Sequence, residues 1–433
     1  MAPDFHELDA LGAAASIKTR RIAASAYTRG LISRIEAVEP DIQAWQYFDA
    51  GYALDQAQRL DARPDLSQLP LAGVAIGVKD IIDTADMPTE NGTELDAGRR
   101  PQADAAAVRL LREAGAIVMG KTVTTELAFM HPSKTRNPRN LAYSPGGSSS
   151  GSAAAVAAGM VPVALGTQTN GSVIRPASFC GIYGLKPTYG LFPRAGVLEE
   201  APTLDTVGVF ARTLGDIAAV TQVLAKGTGK QGAVCEYLRA AREPAARFAF
   251  VKTPAWGFAE EPAKSALEAF AKALGPGCET LDLPPEFDRA IGLHRTIMLT
   301  EMALNYARYY EMGKDRLSTA VREAIEAGRA ILSVDYAEAL REREPLYKRF
   351  AALIEPFDAI VTLPATGPAP AGFETTGNPV FCTLWTYLGA PALNLPLLEV
   401  NGMPLGIQLV GRRFDEERLF RAAAWLLSRG AAD

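Results

Sequence analysis

Residues Ser144–Pro187 read SPGGSSSGSAAAVAAGMVPVALGTQTNGSVIRPASFCGIYGLKP. They set two serine-bearing, glycine-rich turns on either side of a segment of small residues. Ser148 stands in the first turn and Ser172 in the second, 24 residues on. Upstream, Lys79 lies in VAIGVKDIIDT, a β-branched run that reads as a buried strand ending at the lysine. The chain holds only 3 histidines. A serine nucleophile in this setting is therefore expected to draw on the amine of Lys79 as its basic partner.

Outward from these turns, GGSSSGSAAA followed by GTQTNGSVIRPASFCG, with the strand-end lysine 69 residues before the first serine, resembles the amidase signature family. The motif-level similarity runs from about Ala72 to Pro193, and the segments from Phe357 to Arg412 are similar as well. The resemblance implies an α/β fold, with α/β/α layers around a large twisted mixed β-sheet. It also implies that Ser172 is the nucleophile, Ser148 a bridging serine held by a cis peptide bond after Gly147, and Lys79 the terminal base. No metal or organic cofactor is needed by this chemistry.

The chemistry constrains each of the three. A serine hydroxyl is a weak nucleophile until a neighbour takes its proton, and an ammonium cannot do so. Lys79 must be neutral at the moment of attack, and the apolar residues Val74, Ile76, Val78, Ile81 and Ile82 are expected to desolvate it and lower its pKa. Ser148 would relay the proton from Ser172 to Lys79 and return it to the leaving amine. The turn Thr169-Asn170-Gly171-Ser172 is expected to present backbone N–H groups to the developing oxyanion, where each donor is worth about 2.7–4 kcal/mol.

Two positions depart from the commonest family pattern. Asn170 replaces a glycine two residues before the nucleophile; if that site uses left-handed backbone angles, asparagine is among the few residues that tolerate them, and the alternative is that its side chain narrows the pocket. After the nucleophile the order is Ser172-Val173-Ile174-Arg175, which resembles the malonamidase-like subgroup, in which the shifted arginine meets the carboxylate of a small acid amide. Arg175 thus has two open readings, one toward substrate and one as partner to a buried carboxylate such as Asp205.

Other patterns are set aside on context. Gly115–Thr122 fits the phosphate-loop spacing, but it follows a helix expected over Asp104–Glu113 and is itself a β-branched strand, AIVM, rather than a cradle. Lys121 at its end is expected to be solvated at the site's periphery. Gly147–Gly151 fits a nucleophile elbow centred on Ser149, which would demand a later acid and histidine. The only later histidine, His294, lies in a helical stretch, while His6 is near the terminus and His131 in a loop. Asn91 and Asn170 fit glycosylation sequons with no sign of secretion.

Hydrophobic residues make up 48% and charged residues 21%, with a net charge of −5, which argues against a nucleic-acid partner. The N-terminus begins acidic without a signal-like apolar core, and the most apolar stretch, 153–166, is too short and too broken to span a bilayer. Cys180, Cys235, Cys278 and Cys382 form no metal-ligand spacing and read as free thiols, so a cytoplasmic enzyme with no membrane partner is expected.

Residues 1–433 read as one amidase domain. Within it, 1–63 form a helical arm covering the core or the second copy of a homodimer, and 226–355 a helical region that helps set specificity. Strands alternate with helices from Leu71 to Pro193, one strand is expected near Phe248–Val251, and strand character returns at Ala359, Ala392 and Leu405 before a last helix over Glu416–Leu427. The expected activity is amidohydrolysis of a small-molecule amide through an acyl-enzyme on Ser172, with malonamate-like acid amides first. Anilides, carbamates and biuret-type compounds are alternatives, as is an amidotransferase subunit that passes ammonia to a tRNA-charging partner.

Overall fold

The computed structural model describes residues 5–226 and 245–430. Cys235 lies outside the described residues. Eleven strands pair into one mixed sheet among them. In chain order they are β1 (Trp45–Phe48), β2 (Ala75–Lys79), β3 (Ile117–Thr122), β4 (Val163–Gln168), β5 (Tyr183–Lys186), β6 (Thr206–Ala211), β7 (Phe248–Phe250), β8 (Cys278–Thr280), β9 (Ala359–Thr362), β10 (Ala392–Val400) and β11 (Met403–Val410). Their order across the sheet is β1-β3-β2-β4-β6-β5-β10-β11-β9-β7-β8. Pairing is parallel for β3-β2-β4 and β9-β7-β8, and antiparallel elsewhere.

β2 is buried at every residue, as a strand covered on both faces must be. Alternation splits its side chains. Ile76 and Val78 pack with Val163 and Leu165 into one core, while Ala75 packs with Ala164 and Ala153–Val156 into the other. Lys79 follows Ala75 and Gly77 at period two, which aims it at the layer holding the small-residue helix Ser150–Ala157. Ile76 and Val78 therefore sit behind the sheet from the lysine.

The helix Ser150–Ala157 has room only for small residues. A Cβ at Gly151 would collide with the Ala44 carbonyl oxygen and the Val123 nitrogen. Ala106–Glu113 is a helix and Ile117–Thr122 a strand, so Gly120 and Lys121 lie inside β3.

Two stretches differ from expectation. Residues up to Arg63 hold the helices Ala10–Lys18, Ala24–Ile42 and Ala50–Asp61, but also the edge strand β1, antiparallel to β3. Four residues between two helices are too few for periodicity to register. The helices themselves bury Ile17, Leu31 and Ile35 against the sheet of their own chain. Among its described residues, region 226–355 likewise carries β8 in addition to the expected strand, with five α-helices around it. No helix among the described residues is long and apolar enough to cross a membrane.

Gly151→Ala is expected to lower unfolding free energy by about 1–3 kcal/mol through overpacking, read as a shift in the urea midpoint. An unchanged midpoint would mean that the two backbones are not in contact.

Candidate active site

β2 ends at Lys79 because the chain folds back on it: the Ile81 and Ile82 N–H groups both donate to the Lys79 carbonyl. The side chain runs on from the strand end, and Nζ donates to Ser148 Oγ and to Thr167 Oγ1, each at 2.7 Å. Lys79 has no solvent exposure. Burial lowers its pKa to about 7, against the pull of the carboxylates Glu200 and Asp205, so the free amine is well populated at neutral pH.

The first turn passes through Gly146 at φ 81, and the Gly147–Ser148 peptide is cis. Its groups are pinned from two sides: Gly147 O accepts from Arg175 Nη2 at 2.7 Å, and Ser148 O accepts from Thr125 N at 3.2 Å. Ser149 is engaged elsewhere, its Oγ bonding both the N–H and the carbonyl of Thr167 at 3.2 Å.

In the second turn three consecutive carbonyls are held from outside. Thr169 O meets His294 Nε2 at 2.9 Å, Asn170 O accepts from Thr386 Oγ1 at 2.7 Å, and Gly171 O accepts from Arg175 N at 3.1 Å. Gln168 Oε1 takes the next two N–H groups, those of Val173 and Ile174. The N–H groups of Asn170, Gly171 and Ser172 are left without a protein acceptor among the described residues. A peptide N–H points opposite to its own carbonyl, so fixing the carbonyls fixes the aim of these donors.

Of the two readings of Asn170, the left-handed one does not apply: it is absent from the positive-φ positions, and its Oδ1 accepts from Thr383 Oγ1 at 2.7 Å at the pocket lining. The residue serves as a side-chain anchor to the helix Val380–Tyr387, not as a left-handed turn former.

Arg175 is buried, yet among the described residues no carboxylate pairs with it. Its Nη2 donates to Gly147 O and Thr376 Oγ1, while Nε and Nη1 have no partner among them. Burial lowers its pKa to about 10, which keeps it charged at neutral pH. The Asp205 reading fails because that carboxylate is engaged elsewhere. It accepts from Thr169 Oγ1 at 2.6 Å and from the Glu200 and Ala201 N–H groups, with Arg194 at 4.0 Å. Burial, and then Asp205 beside it, raise Glu200 to about 8. The sequence reading named Asp205 as a buried carboxylate but missed its pairing with Glu200 and its bond to the turn through Thr169.

Ser172 is half-buried and lines a cavity of about 270 Å³ with Arg175, Glu200, Phe129, Met298 and Val380. Lys79 and Ser148 are hydrogen-bonded to each other, whereas Ser172 Oγ makes no hydrogen bond to Ser148 here. Arg175 joins the two turns, through its backbone N–H to one and its guanidinium to the other. Lys121 is buried rather than solvated. It donates to Ile82 O at 2.8 Å and lies 3.6 Å from Asp80, which secures the loop after Lys79.

His294, set aside from sequence as a helical residue, is the largest miss. A carbonyl only accepts, so Nε2 carries the proton that binds Thr169 O, and burial lowers the ring's pKa to about 4. Its only sequence signal was a polar residue on the buried side of a helix beside Ile291 and Ile297.

An α/β sheet with a buried lysine–serine pair beneath a serine-lined pocket defines an amidase-type scaffold. The Amidase family model matches residues 26–420, and the chain belongs to that family. It is 34% identical over 446 residues to the A subunit of the glutamyl-tRNA(Gln) amidotransferase of Roseiflexus castenholzii (strain DSM 13941 / HLO8), covering 91% of this chain and 90% of that one. Among solved structures, the peptide amidase from Stenotrophomonas maltophilia superposes with a TM-score of 0.83 at 26% identity, covering 98% of this chain and 97% of that one. A 6-aminohexanoate cyclic dimer hydrolase gives 0.84 at 25% over the same shares.

His294→Asn tests the buried ring. Unfolded histidine takes up a proton near pH 6.5 that the folded ring refuses until about pH 4, so wild type gains stability as pH rises through that window. The stability gap between wild type and variant is expected to shrink as pH falls from 6.5 to 4 in urea titrations; a constant gap would refute the assignment.

Proposed function

We propose that the chain is a cytoplasmic amidohydrolase that opens the C–N bond of a small amide through an acyl-enzyme on Ser172. The observation that carries this reading is the 2.7 Å hydrogen bond between Lys79 Nζ and Ser148 Oγ in a site that favours the neutral amine. Ser172 Oγ attacks the carbonyl carbon and gives its proton to Ser148, whose own proton passes to Lys79. The oxyanion is met by the N–H groups of the Thr169–Ser172 turn, above all those of Asn170, Gly171 and Ser172. The tetrahedral centre collapses, the C–N bond breaks, and the proton returns from Lys79 through Ser148 to the departing nitrogen. Water then attacks the ester through the same relay and releases the acid.

The acyl group is a short acid, as in malonamate. Support for this comes from Arg175, whose charged guanidinium keeps two nitrogens without a protein partner among the described residues, in a pocket whose one carboxyl, Glu200, is not bonded to it. Anilides and carbamates present the same carbonyl without that anion. A second reading, an amidotransferase component that works on glutamine and feeds a partner, is favoured by the 34% identity to one such protein over most of the chain.

Ser172→Ala is expected to cut kcat by about 10³-fold or more and to abolish labelling by a serine-reactive phosphonate; retained turnover would end the proposal. Arg175→Ala should slow every substrate, because it also releases the Gly147 carbonyl, and should slow malonamate about tenfold more than acetamide. Equal losses would remove the acid-amide assignment, and preferential turnover of glutamine would favour the amidotransferase.

A further inference from the structure

The helix Ala290–Asn305 turns one stripe toward the pocket that holds Ser172: Ile291, His294, Arg295 and Met298, at the i, i+3, i+4, i+7 spacing of a single helical face. His294 fastens the stripe to the turn through Thr169 O. Its neighbour Arg295 is thereby held at the cavity, exposed and with no ion-pair, hydrogen-bond or ring partner among the described residues. Most other arginines at the surface are spoken for, such as Arg289 on Glu338 and Arg308 on Asp96.

The pocket thus has two cations with guanidinium nitrogens to spare, Arg175 buried at its floor and Arg295 exposed at its rim. The one carboxyl in its lining, Glu200, is buried beside Asp205, which favours its protonated form. The walls between are apolar, including Phe129, Met298 and Val380. A group bound to Arg175 stays in place until the acyl-enzyme is hydrolysed. The amine must depart toward solvent, and Arg295 is the exposed cation of the lining.

We propose that Arg295 is a specificity-determining residue that binds an anionic group on the leaving amine. The substrates are then acid amides whose amine carries its own carboxylate, that is, N-(carboxyacyl) amino acids, with an anion at each end of the scissile bond. Hydrolysis consumes one water, breaks the C–N bond, and yields a dicarboxylate and an amino acid. This rests on the acid-amide reading of Arg175.

The test compares N-malonylglycine with N-malonylglycinamide, which share an acyl group and differ only in leaving-group charge. Wild-type kcat/KM should favour the glycine compound by about fivefold at low salt, with the difference in KM, and the preference should fade at about 0.5 M salt. Arg295→Ala should erase the preference and Arg295→Glu invert it, leaving the glycinamide compound within about twofold of wild type. Should turnover be too slow to compare, the same ratios are expected from calorimetric binding of both compounds to Ser172→Ala. Equal handling of the two compounds, or a preference that survives Arg295→Ala, overturns the role of Arg295 while leaving the acid-amide reading intact. If neither compound is bound or hydrolysed, the proposal falls, and turnover of malonamate under the same conditions decides whether the acid-amide reading falls with it.

Discussion

The site depends on a lysine amine that has been taken out of water without a carboxylate bonded to it. Two hydroxyls, those of Ser148 and Thr167, are its hydrogen-bond partners. A carboxylate in contact would lock the ammonium, and solvent would leave the pKa near that of a free lysine. Glu200 and Asp205 act on Lys79 only through space, and burial outweighs them. Strand alternation supplies the direction: Lys79 follows Ala75 and Gly77 onto the face where the small-residue helix leaves space for a serine turn.

The second requirement is a rigid turn. Its carbonyls are gripped by His294, Thr386 and the backbone of Arg175, which come from three separate helices. Donors whose orientation is set before substrate arrives need no reorganisation during reaction. Arg175 adds a second constraint by spanning from this turn to Gly147 O, so the spacing of the two serine turns is set by one side chain. The same residue can therefore support the scaffold and present charge to the pocket.

Much of this was legible in the sequence because it is local. The β-branched run ending at Lys79, the glycines around Ser148 and the small-residue helix are each read from neighbours in the chain. The strand character of Ile117–Met119 was enough to reject a phosphate loop. What escaped depends on distant contacts. His294 lies 125 residues from the carbonyl it holds, and Glu200 and Asp205 become a buried pair only once the sheet has formed. The role of Asn170 stayed open for the same reason, because its amide is occupied by Thr383, a partner that no local rule supplies. Leu127 and Ala128, both at positive φ beside the pocket, are likewise conformations imposed by tertiary contacts, including Tyr306 Oη on Leu127 O.

The central claim is that Lys79 acts as a neutral base near physiological pH. The most direct measurement is the rate of phosphonate labelling at Ser172 as a function of pH, in wild type and in Lys79→Met. The rate in wild type should rise with an apparent pKa near 7 and level off above it, as the amine loses its proton, while the variant should be slow and flat. A wild-type rate independent of pH across that range, or a variant that labels as fast as wild type, would contradict it.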